Sequence, residues 1–199
     1  RPEIRRLPDD SDIVRAPSHA VLVDLLDRCE HDELRALVTL MSTTGVRCGE
    51  ALRIERAQVD AERNEIVLRP NQTKNGKGGI LALTGALTQM LLALPVRGSR
   101  LFKWASTTGV NNTLSDVCRK LGIELLSAHR VGRHFFAERM LALGHSAYDV
   151  AKMGRWEDFN TFNKRYGHLE RKRTDDAIRG AAADLLRPKL KIVGGTEGQ

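Results

Sequence analysis

Aromatic side chains are scarce in this chain. Trp, Tyr and Phe make up 5% of 199 residues, and Tyr148 and Tyr166 are its two tyrosines. Chemistry that needs a phenol therefore has two candidates. Cysteine is scarcer still. Cys29, Cys48 and Cys118 are odd in number and lack metal-ligand spacing, which excludes a disulfide framework and points to the reducing cytosol. No apolar run approaches the roughly 18 residues of a membrane helix. The opening RPEIRRLPDD lacks the apolar stretch of a secretory leader. Cofactor signatures are missing as well: there is no phosphate-binding GxxxxGK[ST], no GxGxxG and no HExxH. His129 and His134 stand five apart, outside the i, i+4 spacing of a helical metal pair, and His145 and His168 are isolated. GHSAY lacks the second glycine of a serine nucleophile elbow.

What the chain has is positive charge. Lys and Arg number 32 against 25 Asp and Glu, a formal net charge of +7. That favours a polyanionic partner, nucleic acid ahead of a membrane surface because no strongly basic amphipathic anchor is evident. Hydrophobic content of 41% and charged content of 29% read as soluble and globular, and the length suits one domain with a real core.

The pattern is mostly helical. Ser18 caps an expected helix with Val21, Leu22, Leu25, Leu26 and Cys29 on one face. Asp32 is expected to cap the next, which carries Leu34, Leu37, Val38 and Met41 and stops at Gly45. A short helix follows over 47–54. The period then shortens: Glu65–Arg69 and Gly79–Leu83 read as two strands of a β-hairpin around PNQTKNGKG. Further helices are expected over 84–94, 112–121, 128–143, 147–153, from Asp158 through Tyr166, and over 173–186, before a Gly-rich tail. The fold class is mainly α with a small antiparallel β-hairpin or sheet (α+β).

Chemistry concentrates in a few places. Arg47, Lys74, the Arg130/Arg133/His134 cluster and Arg155 are cations at helix starts or turns, where guanidinium groups can grip phosphate oxygens in a bidentate way. Each alone also reads as an ordinary solvated charge. Tyr166 continues the Phe159/Phe162 stripe and reads as core on periodicity alone. Trp156 likewise reads as a buried anchor.

The segments TGVRCGEAL (Thr44–Leu52), TKNGK (Thr73–Lys77), RVGRHFFAERML (Arg130–Leu141), MGRW (Met153–Trp156) and RYGH (Arg165–His168), in that order, resemble the catalytic domain of the tyrosine recombinases, the phage-integrase family. The resemblance covers residues 16–172. It implies a catalytic domain there, a linker or the end of an upstream DNA-binding domain over 1–15, and a C-terminal helix and flexible tail over 173–199. It also implies the site. Arg47 and Arg133 match the two catalytic arginines, Lys74 the hairpin lysine and Tyr166 the nucleophile. Arg130 and Arg155 fall near the family's remaining catalytic positions, with Glu50, His129, His134 and Trp156 in support and Lys77 and Arg165 on DNA. In two places this chain departs from the pattern. Arg130 stands where a histidine is usual, with His129 one residue earlier. Arg155 or Trp156 fills the usual His/Trp place, at a longer interval from the tyrosine.

The implied activity is cytoplasmic site-specific cleavage and rejoining of double-stranded DNA through a 3′-phosphotyrosine, with no metal or other cofactor. Self-association on DNA as a tetrameric synapse, through the C-terminal helix, is implied too. The alternatives are a catalytically degenerate DNA-binding domain of the same fold and a type IB topoisomerase-like enzyme.

Overall fold

The computed structural model describes residues 15–74 and 76–186. Residues 1–14 of the expected linker, the stop at Pro188 and the tail lie outside the described residues.

Helix α1 (His19–Arg28) begins where the Ser18 side chain accepts the Val21 N–H. Helix α2 (Asp32–Thr44) is capped one residue earlier than expected. Asp32 is its first residue, and Nδ1 of His31 accepts the Leu34 N–H at 3.3 Å. It ends at Gly45, whose φ of 66° is the left-handed conformation that favours glycine. The chain restarts as the four-residue α3 (Cys48–Ala51), shorter than the 47–54 expected.

Strands β1 (Val59–Asp60), β2 (Glu65–Leu68) and β3 (Gly79–Ala82) form an antiparallel sheet in that order, with Ile66 opposite both Val59 and Leu81. The hairpin β2–β3 follows the alternation in the sequence. β1 is a third strand beyond the expected hairpin; its two residues are too few to alternate. Helix α4 (Gly85–Leu92) and helix α5 (Thr107–Leu121) follow. The latter starts five residues before the expected Asn112, because Ser106 caps it and its first turn is polar.

The stretch read as one helix over 128–143 contains a π-helical turn, Arg130–His134, running into α6 (Phe135–Ala142). Such turns interrupt α-helices mostly at functional sites. Ser146 caps α7 (Ala147–Met153) as expected. The two expected last helices are one, α8 (Phe159–Leu186), 28 residues long. Its C-terminal half is exposed, with Leu185 at 87%. Among the described residues no helix is long and apolar enough to cross a membrane.

Two apolar cores result. The larger joins α1 to α5, the sheet and the π-turn, around Leu37, Met41, Ile54, Ile66, Leu91, Leu114 and Val131. The smaller joins α6, α7 and α8, around Phe136, Leu141, Val150, Phe162 and Tyr166. Phe135 belongs to the first and Phe136 to the second, so the start of α6 is the hinge point of both. Of the cationic residues singled out in the sequence, Arg47, Arg133 and Arg155 gather at this junction.

Candidate active site

The break between α2 and α3 places Arg47 at the helix start, with Glu50 one turn on. Their spacing of three residues puts both on one side. Arg47 donates from its NH1 to Oε1 of Glu50 at 3.1 Å. Glu50 is 4% exposed and ties three segments together. Its Oε1 also accepts the Lys74 main-chain N–H at 3.3 Å, and its Oε2 accepts NH2 of Arg155 at 2.6 Å. Burial alone would raise the Glu50 pKa; Arg155, the Lys74 N–H and Arg47 outweigh it and hold the carboxyl below its ordinary value. Arg155 reaches Glu50 from a left-handed backbone conformation, φ 57°, unusual for a residue with a side chain. Its buried Nε and NH1 have no hydrogen-bond partner among the described residues. Arg47, Glu50, Thr73, Lys77, Arg155 and Trp156 line a cavity of about 270 Å³.

Arg133 enters from the π-turn and is 4% exposed. Its NH1 donates to the carbonyls of Gly45 and Gly154, each at 2.8 Å, so the end of α2 and the end of α7 hold one guanidinium. Its plane lies on the Trp156 ring, 3.6 Å from the centroid. Gly154 makes room for that ring: a Cβ there would stand 1.9 Å from Cζ3 of Trp156. NH2 of Arg133 is buried without a partner among the described residues. Burial and the Arg47 charge lower its pKa to about 9, which still leaves it charged at neutral pH. Two guanidinium groups thus share one buried carboxylate, and a third, Arg133, is held nearby on backbone carbonyls, with donor hydrogens left over on Arg133 and Arg155, an arrangement suited to an anion with several oxygens.

Tyr166 lies on the far side of Trp156, with ring centroids 6.1 Å apart and edge-on. It is 3% exposed, packs on Phe162 at 4.8 Å and does not line the cavity. Its hydroxyl is 2.7 Å from Nδ1 of His134. Burial pushes its pKa up to about 12, against the opposing charges of Arg165 and Arg133. Burial, then the His129 ring and the positive charges of Arg165, Arg130 and Arg133, lower His134 to about 3, so its ring is neutral; His129 too is held below its ordinary pKa by burial and neighbouring arginines. His129 stands edge-to-face with His134, centroids 4.4 Å apart.

The structure therefore brings together Arg47, Glu50, Arg133, Arg155 and Trp156, and joins Tyr166 to them through Trp156 and His134. The open choice between Arg155 and Trp156 resolves into two contacts, Arg155 on Glu50 and Trp156 on Arg133. Arg130 is not brought in. Its Nε and NH1 donate to the carbonyls of Arg15 and Leu125, and NH2 pairs with Glu124 at 3.1 Å, so its guanidinium is consumed in holding the chain before the π-turn. His129, rather than Arg130, meets the tyrosine side. Lys74 is exposed and touches the site through its main chain, whereas Lys77 lines the cavity. Arg165 is exposed on α8, near enough for its charge to act on His129, His134 and Tyr166. The Gly45 and Gly154 carbonyls, which anchor Arg133, were not among the residues expected from the sequence. Their signal was position: Gly45 lies within TGVRCGEAL and Gly154 within MGRW, two of the segments singled out.

The family model described as "Phage integrase family" matches residues 18–173. The chain belongs to the phage integrase family. Among curated members of the tyrosine recombinases, it is 27% identical over 172 residues to the tyrosine recombinase XerA of Saccharolobus solfataricus, covering 84% of this chain and 55% of that protein. It is 25% identical over 164 residues to the integrase of Salmonella phage P22, covering 73% of this chain and 41% of that protein. The chain thus spans about half the length of these relatives. Its fold is that of the XerA recombinase crystal structure, with a TM-score of 0.67 at 22% identity, covering 92% of this chain and 70% of that one. It also matches the catalytic domain of bacteriophage HP1 integrase, with a TM-score of 0.62 at 22% identity, covering 83% of this chain and 94% of that one. A Tn1549 transposon integrase solved with transposon right-end DNA matches with a TM-score of 0.67 at 14% identity, covering 92% of this chain and 69% of that one.

Proposed function

We propose that this phage integrase family domain cleaves and rejoins double-stranded DNA at specific sites, with Tyr166 as nucleophile. The observation that carries the reading is the junction itself. Arg47 and Arg155 pair with one carboxylate, Arg133 stands over Trp156, and Arg133 and Arg155 keep buried donors unpaired, one indole ring away from a phenol. A scissile phosphodiester accepts hydrogen bonds from Arg47, from NH2 of Arg133 and from NH1 of Arg155. These donors act on the charge that grows on its non-bridging oxygens, and one such donor is typically worth about 3–4 kcal/mol in the transition state. The Tyr166 oxygen attacks phosphorus, the bond to the 5′-oxygen breaks, and a 3′-phosphotyrosine forms. Phenolate is a fair leaving group, so another 5′-hydroxyl reverses the step. Lys74, on the turn that Glu50 anchors, protonates the departing 5′-oxygen. Lys77 and Arg165 contact backbone phosphates. Glu50 orients Arg155 and Arg47, and His129, His134 and Trp156 shape the tyrosine side. Displacement of Trp156 joins the tyrosine pocket to the cavity. Protomers assemble on DNA as a tetrameric synapse through the exposed half of α8, in the cytoplasm.

The burial of Tyr166 away from the cavity favours a second reading, a DNA-binding domain of this fold without cleavage. A nicked suicide duplex carrying the cognate site, incubated with full-length protein, decides between them. The proposed reading expects a covalent protein–DNA adduct that Tyr166→Phe abolishes and Tyr148→Phe leaves intact. Duplex binding without an adduct at any site tested selects the second reading.

A further inference from the structure

We propose that His134 is the base that accepts the phenolic proton of Tyr166 during strand cleavage, which rests on the reading of Tyr166 as the nucleophile. Its geometry is that of a donor–acceptor pair already made. The phenol oxygen and Nδ1 are 2.7 Å apart, and both side chains are buried, at 3% and 1% exposure.

Counting hydrogens fixes the direction of that bond. If Nδ1–H donated to the tyrosine oxygen, the hydroxyl hydrogen and the Nε2 lone pair would both be left buried and unbonded. If the hydroxyl donates to Nδ1, one group is left, Nε2–H, which has no hydrogen-bond partner among the described residues. The second arrangement leaves fewer groups unsatisfied, and it gives Nδ1 the lone pair that a base requires. The His129 ring packs edge-to-face on His134, with centroids 4.4 Å apart, and so fixes the plane of the imidazole that takes the proton. The π-turn explains this contact. Its hydrogen bonds join residues five apart, the interval between His129 and His134, which an α-helix would set on different faces.

His134 is also the residue after Arg133, and Arg133 and Tyr166 each act on the other's charge. The Trp156 ring touches both the Arg133 guanidinium and the Tyr166 ring, so a phosphate on the unpaired NH2 of Arg133 meets the phenol that His134 holds once that ring is displaced. At rest the proton stays on oxygen: burial, the His129 ring and the cations Arg165, Arg130 and Arg133 keep the imidazole neutral, and the phenol is held well above its ordinary pKa. A bound phosphodiester supplies negative charge against those cations and makes His134 a stronger base. Cleavage then balances. The tyrosine O–H breaks as its oxygen bonds to phosphorus, the proton goes to Nδ1, and the 5′-oxygen leaves with a proton from the hairpin lysine. Rejoining returns both protons. The charge of one DNA phosphate thereby switches on the nucleophile, and an unbound domain carries a silent tyrosine.

Single-turnover cleavage of the nicked duplex by the full-length protein tests this, with His134→Asn beside wild type and Tyr166→Phe. Asn offers an acceptor near the Nδ1 position but takes no proton. The expected result is unchanged duplex affinity with cleavage slowed by about 10²–10⁴-fold, the usual contribution of a general base. Wild-type cleavage that Tyr166→Phe abolishes and His134→Asn leaves at the normal rate overturns the assignment to His134 while the nucleophile stands. Failure of wild type to form any adduct sinks the nucleophile and the base together. Should His134→Asn misfold, nitrogen NMR of ¹⁵N-histidine in the unmutated protein provides an independent test. The Nε2–H tautomer of His134 at neutral pH supports the proposal, and the Nδ1–H tautomer overturns it.

Discussion

The two sides of Trp156 are built on opposite principles. On one side, Arg47 and Arg155 pair with a single carboxylate while Arg133 is held on two backbone carbonyls, and buried donors on Arg133 and Arg155 remain unused. On the other, Tyr166 is packed against Phe162, and its hydroxyl is satisfied by His134. The first side is assembled at an electrostatic cost that an anion would relieve. The second is closed with no buried charge, and Nε2 of His134 is its one unpaired buried side-chain polar atom among the described residues. A site whose phosphate grip is preset while its nucleophile is held in an apolar pocket gives the substrate the task of joining the halves.

Breaking the tyrosine side should have the largest effect. Phe162 is fully buried in the smaller core, and Phe162→Ala should cost about 3–5 kcal/mol, seen as a lower urea midpoint. Trp156 and Trp104 sit in different cores, so single-tryptophan variants read each separately. The contrast fails if the Trp104 signal moves first.

Acid should be next. His134 is neutral in the fold with its pKa lowered to about 3, while an unfolded chain protonates it at its ordinary value near 6.5. Between those values the unfolded state binds the extra proton, so stability falls as pH drops from about 6.5 towards 3, by up to about 5 kcal/mol. Glu50, held below its ordinary value, adds its own loss as pH falls through its depressed pKa. Melting temperature against pH checks this, and a flat profile between pH 7 and 4.5 would contradict a neutral buried His134.

On the cation side, Arg133→Lys should slow cleavage by about 10²–10³-fold, since an ammonium cannot span both glycine carbonyls, lie flat on Trp156 and still offer a donor to phosphate. Duplex affinity, carried by many phosphate contacts, should change only severalfold. Arg130→Ala should have the smallest effect: about 1–2 kcal/mol of stability from lost bonds to Arg15, Leu125 and Glu124, with cleavage within about threefold of wild type. Cleavage kinetics of both variants sharpen the boundary of the site; a hundredfold loss in Arg130→Ala would move Arg130 inside it.

Much of the scaffold was legible because burial leaves a period. α1, α2 and α7 begin and end near their caps, and the β2–β3 alternation is plain. β1 was not, since two residues carry no period. The fusion of the last two helices was hidden for a related reason. Between Tyr166 and Arg173 the helix is mostly charged, and Leu169 is the one large apolar residue there that packs on the smaller core, so no apolar stripe marks its continuity. Within the site, the contact between Arg47 and Glu50 follows from their spacing. The division of labour between Arg155 and Trp156 does not, because it depends on a left-handed backbone at Arg155 that nothing in a Gly-Arg-Trp string requires. The meeting of His129 and His134 was hidden by the π-turn: five residues is the wrong interval until the helix widens.

The most direct test is to map the covalent link. Full-length protein is trapped on a nicked cognate duplex and digested, and the nucleotide-bearing peptide is sequenced by mass spectrometry. The account predicts a 3′-nucleotide on Tyr166. A nucleotide on Tyr148 or on any other residue, or no linked peptide from a duplex that the protein binds and nicks, would contradict it.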